Sequence, residues 1–354
     1  MLKTITKINL ILLCTLFSYH DCFSRSQKLI FAIDIVRHGD RTSLQELPKR
    51  KHVWAEGLGQ LTARGMQQEY ELGLRLDKRY RLDNQLLPKH YHMNDIYVRS
   101  TGYDRTIMSA QSLLLGLYPL GTGAQLPDLV PALPARFQPV PVHSVPIEQD
   151  NIFYINLSTH QIRTILEKYI SNDHEWKKLT TELEPNLKRW SEQTGYAIKD
   201  ITYVIGLADI LTTYLSHDIE LPAQLSNNEA KKIITAGHRI HALLFKPNEI
   251  GDLVGSSPLR YLTNYLKQAV EKKTVRKLIV ISAHDSTILA LMSALHVPLS
   301  TTPDYATDLN FSLYETETGQ YFVSIHINDQ AISIPGCHSN ECEFSQFLKL
   351  YPLG

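Results

Sequence analysis

The sequence predicts an α/β protein in which helices flank a central, mostly parallel sheet and a helical cap is inserted between its two halves. Leu29–Val36 and Lys277–Ala283 are mostly apolar runs without helical periodicity, which is typical of strands covered on both faces. Each run leads into charged residues and then into a helical pattern, as in a parallel sheet. Between them, Asn151–Phe245 is poor in glycine and dominated by helical spacing, so we expect it to form the cap.

This pattern divides the chain into four segments. We expect residues 1–25 to be a signal peptide, 26–150 the first part of the α/β core, 151–245 the helical cap and 246–354 the second part of the core. The chain has 354 residues, of which 43% are hydrophobic and 20% charged, an ordinary globular composition. Lys plus Arg and Asp plus Glu number 36 each, so the net charge does not predict nucleic acid or an anionic membrane as a partner.

The first residues match the three-part pattern of a secretory signal. Lys3 and Lys7 precede the apolar run Ile8–Phe17, and small or polar residues follow over Ser18–Ser26. A membrane anchor is the alternative, but the apolar run is shorter than the ~20 residues that span a bilayer. We therefore expect an exported protein, periplasmic or secreted, with no stable membrane anchor after cleavage. The sequence does not predict its oligomeric state.

The number and spacing of the cysteines are consistent with an exported protein. Cys14 and Cys22 lie in the predicted signal, which leaves Cys337 and Cys342 as a closely spaced pair. In an oxidising compartment such a pair forms a local disulfide. Two free thiols in a surface loop are the alternative. A metal site is a weaker one, because only His338 lies beside the pair and no second pair of ligands exists.

Charged residues with a distinct chemistry follow the first predicted strand. Arg37 and Arg41 flank His38, and guanidinium is a planar, permanently charged fork that suits phosphate or carboxylate oxygens. Nearby cations disfavour imidazolium and lower the pKa of His38, and only a neutral imidazole is a nucleophile. Gly39 lets a ligand approach the backbone. A charged surface turn is the alternative, but the buried-type strand and the second arginine favour an oxyanion site.

This stretch, Arg37-His38-Gly39-Asp40-Arg41-Thr42, resembles the RHGxRxP signature of histidine acid phosphatases. The resemblance implies a phosphoglycerate-mutase-like α/β core, a phosphomonoesterase activity and His38 as the nucleophile. The sequence departs from the signature at its last position, where Ser43 replaces proline. Because that proline is expected to stiffen the loop rather than touch substrate, its loss bears on the rigidity of the loop more than on the chemistry.

A helix is predicted to begin near Leu61, in a segment that resembles the family's second shared block. Met66, Tyr70 and Leu74 recur at helical spacing and are expected to pack on the sheet. Arg64 is a possible ligand, but a solvated charge on a supporting helix is the interpretation that we adopt.

The second predicted strand, Asp95–Ser100, is followed by an arginine at the start of the apolar helix Ile107–Leu117. The positive end of a helix favours anions, so Arg105 is well placed to bind one. The segment resembles the RST-x-x-DRT block of histidine acid phosphatases, with Gly102 where acidic residues are common. The resemblance implies that Arg105 is a phosphate ligand.

Other polar residues near these motifs are predicted to have structural roles. Ser100 or Thr101 is expected to cap the helix that follows, and Arg99 is expected not to bind substrate. Prolines recur through Leu126–Pro146 and exclude a helix there, but Gln138–Pro146 could form an edge strand, where proline is tolerated. His143 lies in that strand and is interpreted as structural.

The strand Lys277–Ala283 ends at His284-Asp285, directly before the predicted helix Ser286–Leu295. Burying charged residues between a strand and a helix costs free energy, so their presence here indicates a functional role. Asp285 as a helix cap is an alternative that is compatible with function. The pair resembles the second catalytic motif of histidine acid phosphatases, a histidine followed by an aspartate. Further on, Phe311–Tyr314 and Tyr321–Ile327 predict a closing hairpin.

The predicted site therefore joins three distant segments. The resemblance implies a phosphate-binding set of Arg37, Arg41, Arg105 and His284. His38 is expected to attack phosphorus and form a phosphohistidine, while Asp285 protonates the leaving alcohol. No metal or other cofactor is expected, because arginines supply the positive charge and no metal-ligand spacing is visible. The expected partners are small phosphomonoesters, hydrolysed with an acid pH optimum.

Alternative functions remain open at this point. Within the family, a phytase-like inositol phosphate phosphatase and a general acid phosphatase are not separated by the motifs. A phosphoglycerate-mutase-like phosphotransferase shares the Arg-His-Gly start, but the signal segment and Asp285 count against it. A non-catalytic phosphate-binding protein is the alternative from another functional class.

Overall fold

The computed structural model describes residues 27–352, so the predicted signal peptide at residues 1–25, with Cys14 and Cys22, lies outside the described residues. The strands are β1 Gln27–Arg37, β2 Ile96–Ser100, β3 Val142–Ser144, β4 Leu278–Ala283, β5 Asp308–Thr316, β6 Tyr321–Ile327, β7 Gln330–Ile332 and β8 Glu341–Glu343. The helices are α1 Ala63–Asp77, α2 Asp104–Leu117, α3 His160–Asn172, α4 His174–Thr194, α5 Val204–Ser216, α6 Asn227–Leu243, α7 Asn248–Ile250, α8 Ser256–Val270, α9 Asp285–Ala294 and α10 Phe344–Leu350. Of the helices in residues 27–352, none has the length and apolar character that crossing a membrane requires.

One sheet organises the protein. Its strands lie in the order β3-β2-β4-β1-β5-β6-β7, with β8 paired to β6. The strands β3, β2, β4 and β1 are parallel to one another, and β5 to β8 extend the sheet in antiparallel pairings. The predicted α/β class with a central parallel sheet is confirmed. The predicted closing hairpin is confirmed as β5 and β6.

Helices cover both faces of β1, as its continuous apolar run predicts. Phe31 and Ile33 pack into the cluster formed with α8, α9 and α10. Their neighbours Ala32 and Val36 point the opposite way, into the cluster formed with α1 and α2. Successive residues of a strand alternate between faces, so a strand between two helical layers must be apolar on both.

The prediction for the buried face of α1 is wrong. Met66, Tyr70 and Leu74 are 38%, 37% and 40% exposed, and the helix buries another face instead. That face contains Gly73, where an added Cβ would lie 2.0 Å from the Leu113 carbonyl oxygen of α2. The two helices approach so closely that glycine is required at their contact, and a count of apolar side chains does not register glycine.

The predicted cap segment is helical, with α3 to α6 between residues 160 and 243. Trp176, Trp190, Leu211 and Ile233 belong to a hydrophobic cluster separate from those around the sheet, and Leu47 of the core joins it. The Ser226 hydroxyl accepts from the backbone N–H of Glu229 at 3.2 Å and caps the start of α6.

The remaining structural predictions have mixed outcomes. His143 lies in the edge strand β3 and stacks on Tyr97 with 4.9 Å between ring centroids. Cys337 and Cys342 form a disulfide. Neither Ser100 nor Thr101 caps α2, because Tyr103 occupies the N-cap position.

Three carboxyl groups, those of Asp34, Glu69 and Asp308, are buried on the face of the sheet that α1 covers. Arg79 bonds Asp34 at 3.2 Å and Asp308 at 3.0 Å, and the Tyr80 hydroxyl donates to Asp34 at 2.8 Å. Glu69 is fully buried on α1. Burial raises the pKa of all three carboxyl groups above their ordinary values, that of Glu69 from 4.5.

Glu69→Gln is therefore expected to become more stabilising, relative to the parent protein, as pH rises. The folded parent retains a proton on Glu69 that the unfolded chain releases above pH 4.5, so ionisation favours unfolding by about 1.4 kcal/mol per pH unit up to the folded pKa. Denaturant unfolding of both proteins between pH 4.5 and 7 measures this difference. The buried histidines have the opposite pH dependence, but they are common to both proteins and cancel. A difference that does not change with pH would contradict the assignment.

Candidate active site

The three predicted motifs meet at the carboxyl edge of the parallel strands. His38 directly follows β1, and its backbone N–H donates to the carbonyl of Ala283, the last residue of β4, at 3.1 Å. Thr101, after β2, donates in the same way to Ser282 at 3.1 Å. The strand register thus brings the loops after β1, β2 and β4 together, where open α/β sheets bind their ligands.

The His38 imidazole is buried with a defined tautomer. Its Nδ1 lies 2.8 Å from the Gly39 carbonyl oxygen. A carbonyl only accepts, so Nδ1 holds the proton and Nε2 has a free lone pair. Burial lowers the pKa of His38 well below 6.5, and the charges of Arg105 and Arg37 lower it further. The sequence predicts that the arginines keep this ring neutral, but burial lowers the pKa of His38 more than their charges do.

The loop that holds His38 is fixed by close packing and hydrogen bonds. A Cβ at Gly39 would lie 2.4 Å from the Gly65 carbonyl oxygen, so this glycine lets the first turn of α1 reach the loop. Ser43, which replaces the signature proline, is buried, and its hydroxyl donates to the Gln45 carbonyl at 2.6 Å. Its own carbonyl accepts from Gly59 at 2.9 Å. Hydrogen bonds thus fix the position that lacks proline.

Arg37 is held from three sides. One Nη lies 2.9 Å from Asp285 Oδ2, and the other donates to the Pro303 carbonyl. The guanidinium carbon lies 4.2 Å from the centre of the Tyr305 ring. These contacts fix the direction of the guanidinium before any substrate arrives, as electrostatic catalysis requires.

Arg41 is bound by a residue of the cap. Its two Nη atoms lie 2.6 and 3.3 Å from the carboxylate oxygens of Asp209 on α5. This bidentate pair joins the loop after β1 to the cap across 168 positions in the sequence.

Arg105 differs from the other two arginines, because within residues 27–352 no carboxylate pairs with it. It follows Asp104, the first residue of α2, and its guanidinium carbon lies 4.2 Å from the centre of the Tyr103 ring. Burial and the charge of Arg41 lower the pKa of Arg105 to about 10, so the group is still a cation, and the charges of Asp285 and Asp209 act on it only from a distance. An anion bound here would form a direct ion pair with it.

Arg105→Ala is therefore expected to lower kcat/KM for a phosphomonoester by roughly 10²–10³-fold, the loss typical of one preorganised charge donor. Arg64→Ala is the matched control, because Arg64 is exposed at the start of α1 and donates to the Ser216 carbonyl. Steady-state kinetics and the inhibition constant of inorganic phosphate measure both variants. Equal losses in the two variants would contradict the assigned role of Arg105.

His284 and Asp285 lie on the other side of His38. The His284 and His38 rings are 5.6 Å apart, and His284 Nε2 lies 2.9 Å from the Thr101 hydroxyl. Burial, with Arg105 second, lowers the pKa of His284 to about 3. Burial raises the pKa of Asp285, but Arg37 and His241 outweigh this effect, and the pKa lies well below the usual 3.8. The site without substrate thus contains two neutral imidazoles and an ionised carboxylate.

The predicted structural arginines lie apart from this cluster. Arg99 binds the buried Asp150 at 3.0 Å, and its guanidinium lies over Phe153. The surface contact of Arg64 agrees with its predicted supporting role. The six predicted site residues therefore cluster around one centre, whereas Arg64 and Arg99 bond elsewhere.

Several residues that shape the site were not predicted. Asp209 and His241 come from the cap, Tyr305 comes from the loop before β5, and Thr101 was assigned to a helix cap. Each acts through a partner distant in sequence, so no local motif marks it. The one available signal was the spacing of His238 and His241 on α6, which places both on one helix face.

Known proteins are similar to this chain in sequence and in fold. The model of the histidine phosphatase superfamily, branch 2, matches residues 28–199 and 224–328. Prostatic acid phosphatase of Bos taurus is 30% identical over 360 residues, which cover 98% of this chain and 90% of that protein. Lysosomal acid phosphatase of Homo sapiens is 30% identical over 92% of this chain and 78% of that protein. Hafnia alvei phytase in complex with tartrate superposes with a TM-score of 0.67 at 18% identity, covering 92% of this chain and 96% of that one, and shares the fold.

Proposed function

Because the chain belongs to branch 2 of the histidine phosphatase superfamily, we propose that it hydrolyses phosphomonoesters through a phosphohistidine at His38. One observation supports this most: the free Nε2 of a neutral, buried imidazole lies within a cluster of Arg37, Arg41 and Arg105. A tetrahedral phosphoryl group needs positive donors around its oxygens and a nucleophile in line with its leaving group.

In the first step, Nε2 of His38 forms a bond to phosphorus while the bond from phosphorus to the leaving oxygen breaks. Arg37, Arg41, Arg105 and His284 hold the phosphoryl oxygens. The Nδ1 proton stays on His38, where the Gly39 carbonyl accepts its hydrogen bond and stabilises the positive ring. The product of this step is an alcohol and a phosphohistidine.

The leaving oxygen takes its proton from Asp285. This carboxyl is ionised before substrate binds, because Arg37 holds its pKa well below 3.8. A phosphomonoester has a second pKa of about 6, so its monoanion brings a proton into the site under acid conditions. The bound phosphate also competes for Arg37 and raises the pKa of Asp285 by repulsion. The proton passes from the phosphate to Asp285 and then to the alcohol.

In the second step, water replaces the alcohol. Its oxygen bonds to phosphorus as the bond from phosphorus to Nε2 breaks, and Asp285 accepts the proton that the water loses. The proton then returns to the departing phosphate. His38 is regenerated neutral, and the enzyme returns to its starting state.

Release of free phosphate over a range of pH tests this proposal. We expect turnover whose kcat/KM is highest under acid conditions and falls above about pH 6, because the ester monoanion becomes scarce while His38 stays neutral throughout. Two esters whose second pKa values differ by about one unit should have alkaline limbs displaced by the same amount.

Two results would contradict the proposal. Phosphate binding without turnover would favour a non-catalytic binding protein. Transfer of the phosphoryl group to an alcohol acceptor in preference to water would favour a mutase-like phosphotransferase.

Export is part of the same proposal. The disulfide between Cys337 and Cys342 fits an oxidising compartment, and the secretory pattern of the first residues is consistent with it. Periplasm and secretion to the medium both meet this condition.

A further inference from the structure

The leaving-group side of the site is a small cavity between the loop after β1 and the cap. It has a volume of about 210 Å³. Arg37, Arg41 and Asp285 line it, together with ten further residues whose polar members are Gln45, Asp209, His238, His241 and Thr302. One water occupies about 30 Å³ in the liquid, so the space fits a leaving group of a few atoms to one ring.

The ten further residues that line this cavity carry a net negative charge. Asp209 is the one formally charged group among those leaving-group residues, and none of them is Lys or Arg. Burial lowers the pKa of His238 and of His241, so neither is a cation near neutral pH. A negative group on the leaving side therefore meets a further carboxylate and no cation beyond Arg37 and Arg41, which already pair with Asp285 and Asp209.

The charge count of the whole site leads to the same result. Arg37, Arg41 and Arg105 contribute three positive charges, and Asp209 and Asp285 contribute two negative ones. The phosphoryl group of a monoester brings one to two negative charges. The phosphoryl group neutralises the single excess positive charge. A second anionic group on the substrate therefore enters a site whose net charge is already zero or negative.

Building on the proposed function, we infer that the enzyme selects phosphomonoesters whose leaving group is uncharged or cationic, with Asp209 as the specificity-determining residue. Polyphosphorylated substrates such as inositol hexakisphosphate are therefore disfavoured by their charge. The cavity thus favours a general phosphomonoesterase over the phytase-like alternative, although solved phytases share the fold.

Three esters with similar phenol leaving groups test this inference. The phosphates of para-hydroxyphenylacetate, para-hydroxyphenylacetamide and tyramine bear a negative, a neutral and a positive substituent at the same ring position. At about pH 6 the order of kcat/KM is expected to be cationic, then neutral, then anionic, with about 10- to 100-fold between the two ends. Inositol hexakisphosphate should release phosphate more slowly than the neutral ester by a larger factor.

Two variants assign the effect to the cavity. Asp209→Asn should reduce the ratio between the cationic and anionic esters, whatever it does to overall turnover through Arg41. Gln45→Lys adds a cation at an exposed position of the lining and should raise kcat/KM for the anionic ester about tenfold. Gln45→Met, similar in length and uncharged, is its matched control and should leave the ratio unchanged.

The outcomes separate this inference from the function on which it rests. Turnover of all three esters with equal or reversed preference would overturn the inference and leave the phosphatase function intact. An unchanged ratio in both Asp209→Asn and Gln45→Lys would also overturn it. If Asp209→Asn fails to fold, Gln45→Lys against Gln45→Met decides. Failure to hydrolyse any ester would overturn the proposed function and this inference with it.

Discussion

His38→Ala is expected to lower turnover of any phosphomonoester by roughly 10⁴-fold or more, because it removes the imidazole that forms the covalent bond to phosphorus. The substitution removes Nε2, the ring nitrogen with the free lone pair. The hydrogen bond from Nδ1 to the Gly39 carbonyl holds this nitrogen in place in the parent protein. The loss should be in kcat, since the arginines that bind phosphate remain in place. The inhibition constant of inorganic phosphate should therefore change much less than turnover.

His143→Ala is the matched control for this prediction. It removes another imidazole, but one that stacks on Tyr97 at the edge of the sheet. Its turnover should stay close to that of the parent protein. Full turnover in His38→Ala, with the fold verified by circular dichroism, would contradict a histidine nucleophile.

Asp285→Asn is expected to have an effect that depends on the leaving group. For an alkyl phosphate, whose alkoxide needs a proton to depart, the loss should be about 10²–10⁴-fold, the usual value of general acid catalysis. For p-nitrophenyl phosphate the loss in kcat/KM, which reports the steps up to formation of the phosphohistidine, should be far smaller, because its phenolate leaves without a proton. The amide keeps the size of the carboxyl group while removing the charge partner of Arg37 at 2.9 Å.

The two substrates together separate chemistry from binding. If Asp285 served only to orient Arg37, both esters would lose the same factor. Equal losses would therefore contradict its role as the acid and leave it as a positioning residue.

The strands and the clustering of candidate residues at their ends could be predicted from the sequence for a physical reason. A strand buried on both faces must be apolar along its whole length, so β1 and β4 are visible without any knowledge of their partners. Polar residues directly after such strands lie at one edge of the sheet. Arg37, His38 and His284 could thus be assigned to one site from local patterns.

The remaining features depend on contacts that no local pattern records. Asp209 meets Arg41 across 168 positions, and Tyr305 covers Arg37 from a loop far along the chain. The buried face of α1 was predicted wrongly because glycines, rather than apolar side chains, form the contact with α2. The ionised state of Asp285 likewise required the position of Arg37.

The most direct test of the central claim is to trap the covalent intermediate. The protein is mixed with radiolabelled p-nitrophenyl phosphate, quenched within one turnover and digested. We expect one labelled peptide, which contains His38 and whose phosphate is labile to acid and stable to alkali, as a phosphoramidate is. Label on another residue, or rapid turnover with no labelled protein at any quench time, would contradict the mechanism.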